Sequence, residues 1–281
     1  MARQLRVEFE GAVYGVTSRG NARQPIFLDD LDRSWFLAGL LQVVERYECV
    51  CHTYCLMGNH YHAVIETPRA NLSLALRQLN GTYAARFNRR HGRVGHVFQG
   101  RFHSVLVEKE RHALELARYT VLNPVRAGLC QDAAEWAWSS YRALAGMEPP
   151  PPLLSVAWLL GQFSGDRARA HQRFRKFVRE DDGRNPLSAA RGEIYLGDRH
   201  FVERNHPAAP LSREHPEAQR RPLRSSLRAI LLTGSDAEIE AAVRVHGYRL
   251  AEVAAYLGVH PSTVTRRVAE IERRRRPGPA A

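Results

Sequence analysis

Two histidines stand two residues apart in the segment 57–65, whose sequence is MGNHYHAVI. Side chains alternate along a β-strand, so His60 and His62 would project from one face of a sheet, roughly 6.5–7 Å apart along the backbone. Imidazoles in this arrangement can share one metal ion when a third ligand arrives from elsewhere in the chain. Half-exposed strand histidines without a ligand role are the commoner case, and these two residues alone do not separate the alternatives.

A tyrosine and an asparagine stand four residues apart in the segment 116–126, LARYTVLNPVR. On a helix, residues with this spacing share a face, so Tyr119 and Asn123 point the same way, with Glu115 one turn earlier. A tyrosine hydroxyl can act as a nucleophile, and an amide carbonyl oxygen can bind a hard cation. Pro124 predicts that the helix ends near Asn123, because proline disfavours helical geometry in the residue before it. Most helical tyrosines are core residues, which is the alternative here.

The elements that would position these side chains alternate between strand and helix patterns. Gly58 and Asn59 form a two-residue turn of the kind that tight hairpins need, which places the histidines on the second strand of a hairpin. The predicted elements are strand 9–19, helix 29–47, strands 47–57 and 60–67, helix 71–87, strand 100–108 and helix 110–122. This order predicts an α+β fold with a ferredoxin-like four-stranded antiparallel sheet, two helices on one face and an added helix.

Composition and charge narrow the function classes. The 281 residues include 41 Lys and Arg against 29 Asp and Glu, a net charge of +12, and the only lysines are Lys109 and Lys176. A strongly basic chain rich in arginine favours a polyanionic partner, most often nucleic acid. No apolar run reaches membrane-spanning length and no export signal is evident, which predicts a cytoplasmic, nucleoid-associated protein without a membrane partner. Four cysteines fit a reducing compartment and do not form a disulfide framework.

A basic stretch separates the hairpin from the tyrosine, with no acidic residue between Glu66 and Glu108. A charge run is usually just a solvated face. Arginines beside exposed aromatic side chains instead suit single-stranded DNA, whose bases stack while its phosphates are neutralised. The arginines predicted to bind DNA are Arg77, Arg86, Arg89, Arg90, Arg93 and Arg101, interleaved with Tyr83, Phe87, Phe98 and Phe102.

Taken together, the motifs resemble one known family. The hairpin histidines, followed by a helix with Tyr-x-x-x-Asn-Pro-Val-Arg-Ala, are similar to the single-tyrosine HUH transposases and more closely to the REP-associated tyrosine transposases. The resemblance covers about residues 10–145, where five separated motifs occur in the expected order: 57–62, 95–102, 107–109, 119–128 and 136–141. Gly58 stands where proline is common and Tyr61 where a smaller apolar residue is common. Neither departure touches the implied chemistry.

The resemblance implies a mechanism for these residues. His60, His62 and Asn123 would hold one Mg²⁺ or Mn²⁺, which polarises a non-bridging oxygen of the scissile phosphate. Tyr119 would attack the phosphorus, form a 5′-phosphotyrosyl link and free a 3′-hydroxyl, so that ends can be rejoined without ATP. The implied enzyme is a site-specific single-strand endonuclease and DNA strand transferase that acts on repeat or hairpin DNA as a monomer or homodimer. Arg126 joins the implied DNA-binding residues.

Other interpretations stay open at this point. Cys55 would oppose His62 across the hairpin, and cysteine with two histidines would favour zinc, although asparagine is a poor zinc ligand and buried free cysteines are common on strands. Glu115 could assist the phenol, which is a weak nucleophile at neutral pH, or be a solvent-exposed glutamate. The alternative function is a DNA-binding regulator of repeat sequences with a catalytically silent fold. A metal-dependent nuclease without a covalent step is the third.

The segment 248–268 resembles a helix-turn-helix and is similar to the duplex-binding C-terminal domain of bacterial replication initiators. Gly258 would form the turn and Val259 would fill the corner between the helices. Two packed helices without a DNA role are the alternative. The second helix would reach the base edges and phosphates of duplex DNA through Ser262, Thr263, Thr265, Arg266 and Arg267. The arginine run 273–276 is predicted to be a phosphate-binding tail.

Changes in composition along the chain predict that it is divided into three domains or segments. Prolines at 149–152 break the first pattern, and two helices follow at 153–163 and 166–179, the second basic and amphipathic. The predicted domains are a catalytic domain at 1–148, a helical segment and basic linker at 149–222, and a helix-turn-helix domain with an arginine-rich tail at 223–281.

Overall fold

The fold is that of a computed structural model, which describes residues 4–209, 211–212 and 214–275. The first seven elements follow the predicted order of strands and helices, and further helices come after them. The elements are β1 (Ala12–Arg19), α1 (Asp30–Tyr47), β2 (Val50–Leu56), β3 (His60–Thr67), α2 (Leu72–His91), β4 (His103–Val107), α3 (Lys109–Arg126), α4 (Tyr141–Leu144), α5 (Ala157–Gly161), α6 (Arg167–Arg179), β5 (Tyr195–Leu196), α7 (Arg199–Asn205), α8 (Glu217–Arg220), α9 (Leu227–Ile230), α10 (Asp236–Glu240), α11 (Leu250–Leu257) and α12 (Pro261–Arg275).

The sheet has five strands in the order β2-β3-β1-β4-β5. Antiparallel pairing joins β2 to β3, β3 to β1 and β1 to β4, which confirms the predicted α+β fold and its antiparallel core. The fifth strand differs from the expected four, because Tyr195 and Leu196 add to β4 in parallel and are both buried. A strand of two residues has too few alternating positions to be recognised from the sequence.

The two faces of the sheet carry different helices. Tyr61 of β3 packs against Phe36 of α1, with ring centroids 4.6 Å apart, and α1 packs against α2. Val64 packs in the cluster that contains Leu116 of α3. Side chains alternate along a strand, so His60 and His62 share the face of Val64. The predicted pair of helices therefore covers one face, and α3 lies against the histidine face.

The helix that carries the tyrosine runs through its proline, contrary to the prediction that it ends near Asn123. α3 ends at Arg126. Pro124 has no N–H to donate to the carbonyl of Thr120, which would normally interrupt a helix. The Asn123 side-chain amide donates to that carbonyl at 3.4 Å and to the carbonyl of Tyr119 at 2.9 Å. This side-chain donor replaces the missing backbone donor, so the helix continues.

The aromatic residues of the basic stretch lie in the core, and the prediction that they are exposed was wrong. Tyr83, Phe87, Phe98 and Phe102 are at most 7% exposed. Tyr83 lies 5.2 Å from Phe36 and 6.2 Å from Phe98, measured between ring centroids, so these rings fill the space between the sheet and its helices. Covered rings cannot stack on bases. The predicted DNA binding by this stretch would therefore rest on charge alone.

The described chain divides into two compact units. The larger holds Arg6–Ala190 and Ile194–Phe201, and the rest forms the smaller. The predicted segment 149–222 is shared between them, because α5 and α6 pack in one hydrophobic cluster with α3 of the larger unit. No helix of the described chain is both long enough and apolar enough to cross a membrane.

The smaller unit contains the predicted pair of helices joined by a tight turn. Val253 of α11 and Val264 of α12 are fully buried in one cluster. Gly258 ends α11 with a φ of 68°, a left-handed conformation that glycine adopts without a steric penalty. Val259 is 39% exposed, so the prediction that it fills the corner was wrong. Arg276 of the predicted arginine tail lies outside the described residues.

Candidate active site

Three of the predicted site residues lie together on the α3 face of the sheet. The rings of His60 and His62 are 4.9 Å apart between centroids. The Tyr119 ring lies 6.1 Å from that of His62 and meets it edge to face, at 89°. Asn123 follows one helical turn after Tyr119 and is 9% exposed. A strand and a helix that are far apart in sequence therefore bring two imidazoles and a phenol to one place.

The protonation of His60 follows from its neighbour in the turn. The Asn59 side-chain amide nitrogen donates to the carbonyl of Arg23 at 2.9 Å, which identifies the other arm of that amide as its oxygen. That oxygen lies 2.7 Å from Nδ1 of His60. A neutral imidazole can donate there only from a protonated Nδ1, so its Nε2 keeps a lone pair. Metal-binding histidines are oriented by hydrogen bonds of this kind at the other ring nitrogen.

His62 has the same kind of support from the neighbouring strand. Thr17 of β1 pairs with His62 across the sheet, and its hydroxyl lies 2.9 Å from Nδ1 of the imidazole. Burial, with Arg19 nearby, lowers the pKa of His60 to about 4. Burial, followed by the neighbouring His60 and Arg19, lowers the pKa of His62 to about 3. Both rings are therefore neutral at pH 7, which is the form that binds metal ions.

The donor set fits a divalent ion that keeps open positions. Both Asn123 hydrogen bonds use its amide nitrogen, so the amide oxygen is the atom through which this side chain could bind a cation. Among the described residues, no group of three or more His, Cys, Asp or Glu side chains could hold a metal. Two neutral imidazoles and one amide oxygen would leave further positions for water or phosphate oxygens, as in a catalytic rather than a structural site.

Cys55 does not support the zinc alternative. It pairs with His62 across the hairpin, as predicted, but its side chain is fully buried. Burial raises the pKa of the Cys55 thiol, so the thiolate that zinc requires is disfavoured. Its sulfur lies 3.7 Å from that of Met57, as part of the core.

The Tyr119 ring is covered on one face by Arg126. The guanidinium carbon lies 5.1 Å from the ring centroid. One terminal nitrogen of Arg126 binds the Asp181 carboxylate at 2.7 and 2.9 Å and the carbonyl of Arg184 at 3.0 Å, and the other binds the carbonyl of Gly183 at 3.0 Å. The segment 181–184 therefore holds the arginine in place beside the tyrosine.

Glu115 is engaged elsewhere. Its carboxylate pairs with Arg118, whose Nε also lies 3.4 Å from the Asp181 carboxylate. The glutamate side chain is 44% exposed. These contacts agree with a surface ion pair and give no support to a role in activating the phenol.

Comparison with known proteins bears on the part of the chain that carries His60, His62 and Tyr119. Residues 10–121 match the family model "Transposase IS200 like". This confirms the resemblance predicted from the sequence over those residues, which we call the IS200-like domain. A solved structure described as the "REP associates tyrosine transposase bound to a REP hairpin" is 16% identical, covers 55% of this chain and 92% of its own, and gives a TM-score of 0.46. No curated protein sequence matches the chain at a significant level.

The arginines of the IS200-like domain differ in their surroundings. Arg77, Arg89 and Arg101 are exposed. Arg86 stacks on Trp35 of α1, with its guanidinium carbon 3.4 Å from the ring centroid. Arg93 donates to the side chain of Gln24. The first three are therefore the freest to meet a phosphate.

Arg90 is engaged within the fold. Its guanidinium binds Asp29 and Asp32 at 2.6–2.7 Å, and Asp32 is fully buried. Asp32 also accepts hydrogen bonds from the backbone N–H of Leu28 at 2.9 Å and from His91 at 3.0 Å. Arg90 therefore joins the end of α2 to the start of α1, and this cluster accounts for it without DNA.

The predicted DNA-binding side chains of α12 lie mostly on its open surface. Ser262, Thr265 and Arg266 are exposed, and Thr263 is half-buried. Arg267 instead donates to Asp236 at 2.6 Å and to the carbonyl of Gly234 at 2.8 Å, so it ties α12 to the start of α10.

The sequence did not single out the supporting residues of the site. Thr17 depends on the register between β1 and β3, and Asp181 lies beyond the matched domain, so neither has a local signal. Asn59 was recognised as a turn residue, but not as the partner that selects the His60 tautomer.

Proposed function

We propose that this chain is a site-specific endonuclease and strand transferase for single-stranded or hairpin DNA that works through a 5′-phosphotyrosyl intermediate. The observation that carries the proposal is the convergence of His60 and His62 from β3 with Tyr119 from α3 on one face of the sheet. The family match of residues 10–121 supports a transposase-like, DNA-processing function for the domain that holds them.

Tyr119 is the proposed nucleophile. Its hydroxyl oxygen forms a bond to phosphorus while the bond from phosphorus to the 3′ oxygen breaks. The phenol proton leaves to water, and the 3′ oxygen takes up a proton as the free hydroxyl. The reverse attack by a 3′-hydroxyl releases the tyrosine and joins the strands, so no external energy source is needed.

The histidines and Asn123 are the proposed ligands of Mg²⁺ or Mn²⁺. When bound, the ion would polarise a non-bridging phosphate oxygen and stabilise charge on the leaving 3′ oxygen. Asn59 and Thr17 hold the two imidazoles by their Nδ1 atoms, so that Nε2 is the nitrogen left to bind. Burial keeps both rings neutral, so no proton has to leave before binding.

The smaller unit would add a duplex contact through the exposed side chains of α12, chiefly Ser262, Thr265 and Arg266. The catalytic domain would then act on a single strand or hairpin while the helix-turn-helix holds duplex nearby. The protein would bind DNA in this way as a monomer or as a homodimer.

The test uses oligonucleotides from the repeats that flank the gene, labelled at either end and incubated with Mn²⁺ or Mg²⁺. Wild-type protein is expected to retain one label on a denaturing protein gel, and the retained end fixes the polarity of the link. Tyr119→Phe should lose the adduct entirely while binding the same DNA. The matched control is Tyr47→Phe, which removes a hydroxyl bonded to Gln78 on α2 and should leave the adduct unchanged.

Two outcomes would overturn the proposal. Tight binding without cleavage or adduct, across several repeats and both ions, would favour the regulator of repeat sequences. Cleavage without any protein-linked label would favour a nuclease that uses water in place of the tyrosine.

Asp181→Asn is expected to slow adduct formation by about 10–100-fold, because Arg126 would lose its carboxylate anchor and the tyrosine its fixed position. Single-turnover rates and DNA dissociation constants, measured separately, should show a loss in rate with little change in affinity. Asp182→Asn is the control, since the Asp182 carboxylate pairs with the neighbouring Arg184 and makes no hydrogen bond to Arg126 within the described residues. Asp181→Glu should restore part of the rate. Equal rates in the two asparagine variants would exclude a positioning role for Asp181.

A further inference from the structure

The helix α6 has a strongly basic surface that the proposed catalytic site does not use. Its thirteen residues, RARAHQRFRKFVR, include five arginines and one lysine and no acidic residue. It lies beyond residues 10–121, which match the family model, so its charge is not a feature of the matched domain. Helix formation alone does not require so many basic residues, so their role has to be sought elsewhere.

One face of α6 is fastened to the core. Ala170, Phe174 and Val178 recur every four residues and are all buried. They belong to the cluster that contains Ala117 and Val121 of α3. The helix is therefore attached directly to the helix that carries the proposed nucleophile.

A second set of contacts fixes the C-terminal end of α6 beside the tyrosine. Arg118, the residue before Tyr119, donates to the carbonyls of Phe177 at 3.2 Å and Glu180 at 3.5 Å. Its guanidinium also lies 4.3 Å from the Phe177 ring centroid. The position of α6 relative to the candidate active site is therefore set by hydrogen bonds as well as by apolar packing.

The opposite face of α6 presents cations to solvent. Most of them have no carboxylate partner within the described part of the chain, the exception being Lys176, which lies 3.6 Å from the exposed Glu180. Arg173 stays exposed although it donates to the carbonyl of Phe163 at 2.6 Å, whereas Arg175 is half-buried and donates to the carbonyl of Ala145. The exposed cations opposite the buried stripe, here called the α6 basic face, are Arg169, Arg173, Lys176 and Arg179.

We propose that the α6 basic face binds the phosphate backbone of duplex DNA that flanks the strand cleaved at Tyr119. The inference rests on the proposed DNA substrate, but not on the chemistry of cleavage. Thirteen residues span about 20 Å at 1.5 Å per residue, which matches roughly six base pairs at 3.4 Å each. Arginine suits this role because its planar guanidinium binds phosphate oxygens in pairs.

The charge pattern favours the backbone over the bases. The face has cations at several successive turns and few other side chains that could read base edges, so it would contribute affinity without sequence preference. The IS200-like domain and α12 would then determine which DNA site is recognised.

The experiment compares the double variant Arg169→Gln/Arg179→Gln with the control Arg46→Gln/Arg69→Gln, in the full chain. Both remove two exposed arginines. The control positions lie at the end of α1 and in the segment just before α2, and these two helices cover the other face of the sheet. The probe is a fluorescent DNA hairpin whose stem exceeds six base pairs. Its dissociation constant is measured over a range of salt concentrations, in the Tyr119→Phe background so that no cleavage intervenes.

The α6 variant should reduce the slope of log affinity against log salt by about 1.8, since each lost phosphate contact contributes about 0.9. The control should leave the slope unchanged. On a short single strand without a flanking stem, both variants should bind like the parent protein.

A salt slope equal to that of the control variant would overturn the proposal. So would an equal loss of affinity for the short single strand, because that would indicate a general loss of folding or of charge. Failure of the proposed chemistry is a separate result, because it appears as a missing adduct in wild type and does not change these binding slopes.

Discussion

Replacing His62 by alanine is expected to abolish cleavage that depends on a divalent ion, and replacing Thr17 by valine should weaken it by about 10–100-fold. His62→Ala would remove a proposed ligand of the ion, whereas Thr17→Val would keep that imidazole and remove only the hydroxyl 2.9 Å from its Nδ1. The free imidazole could then rotate or change its tautomer, and the site would bind the ion less tightly. The variant should retain its fold, because valine has nearly the shape of threonine.

The measurement is the Mn²⁺ concentration that gives half-maximal cleavage, together with direct Mn²⁺ titration of the protein without DNA. Thr53→Val is the matched control. Thr53 is likewise a strand threonine, buried on β2, but its hydroxyl has no hydrogen-bond partner among the described residues, so removing that hydroxyl breaks no such bond. Unchanged ion binding in Thr17→Val would show that the hydroxyl does not orient the ligand.

Replacing Asp32 by alanine is expected to lower the free energy of unfolding by about 1–3 kcal/mol, because it removes a buried carboxylate that accepts several hydrogen bonds and leaves their donors without that acceptor. Asp32 is fully buried and accepts from Arg90, His91 and the backbone of Leu28. Chemical denaturation monitored by tryptophan fluorescence measures the loss. Asp30→Asn is the control, since its pair with Arg33 is exposed and should contribute at most about 1 kcal/mol.

The same carboxylate makes stability depend on pH. Burial raises the pKa of Asp32, but the hydrogen bonds from Leu28, His91 and Arg90 outweigh it, and the net pKa is lowered. A lowered folded-state pKa stabilises the protein above the unfolded value of about 3.9, and this contribution is lost as the pH falls through the folded pKa. The stability difference between wild type and Asp32→Asn should therefore be full near pH 7 and shrink in acid. A difference that stays constant down to pH 3 would contradict this account.

Arg90 shows where sequence reasoning overestimated a DNA-binding role. In the sequence it is one of several arginines in a stretch without acidic residues, and nothing local separates it from Arg89. Only the packing of α2 against α1 brings it to Asp29 and Asp32, which lie about sixty residues away. The aromatic residues of the same stretch were misjudged for the same reason, because burial depends on what a helix packs against.

The sequence by itself determined the order of strands and helices, the hairpin that puts His60 and His62 on one side of a strand, and the helical spacing of Tyr119 and Asn123. These features depend on local periodicity and turn chemistry, which a few neighbouring residues specify. Only the tertiary structure decided that Thr17 supports His62, that β5 extends the sheet and that Asp181 holds Arg126 over the tyrosine. Strand register and contacts between distant segments depend on how whole elements pack, and no short stretch of sequence encodes that.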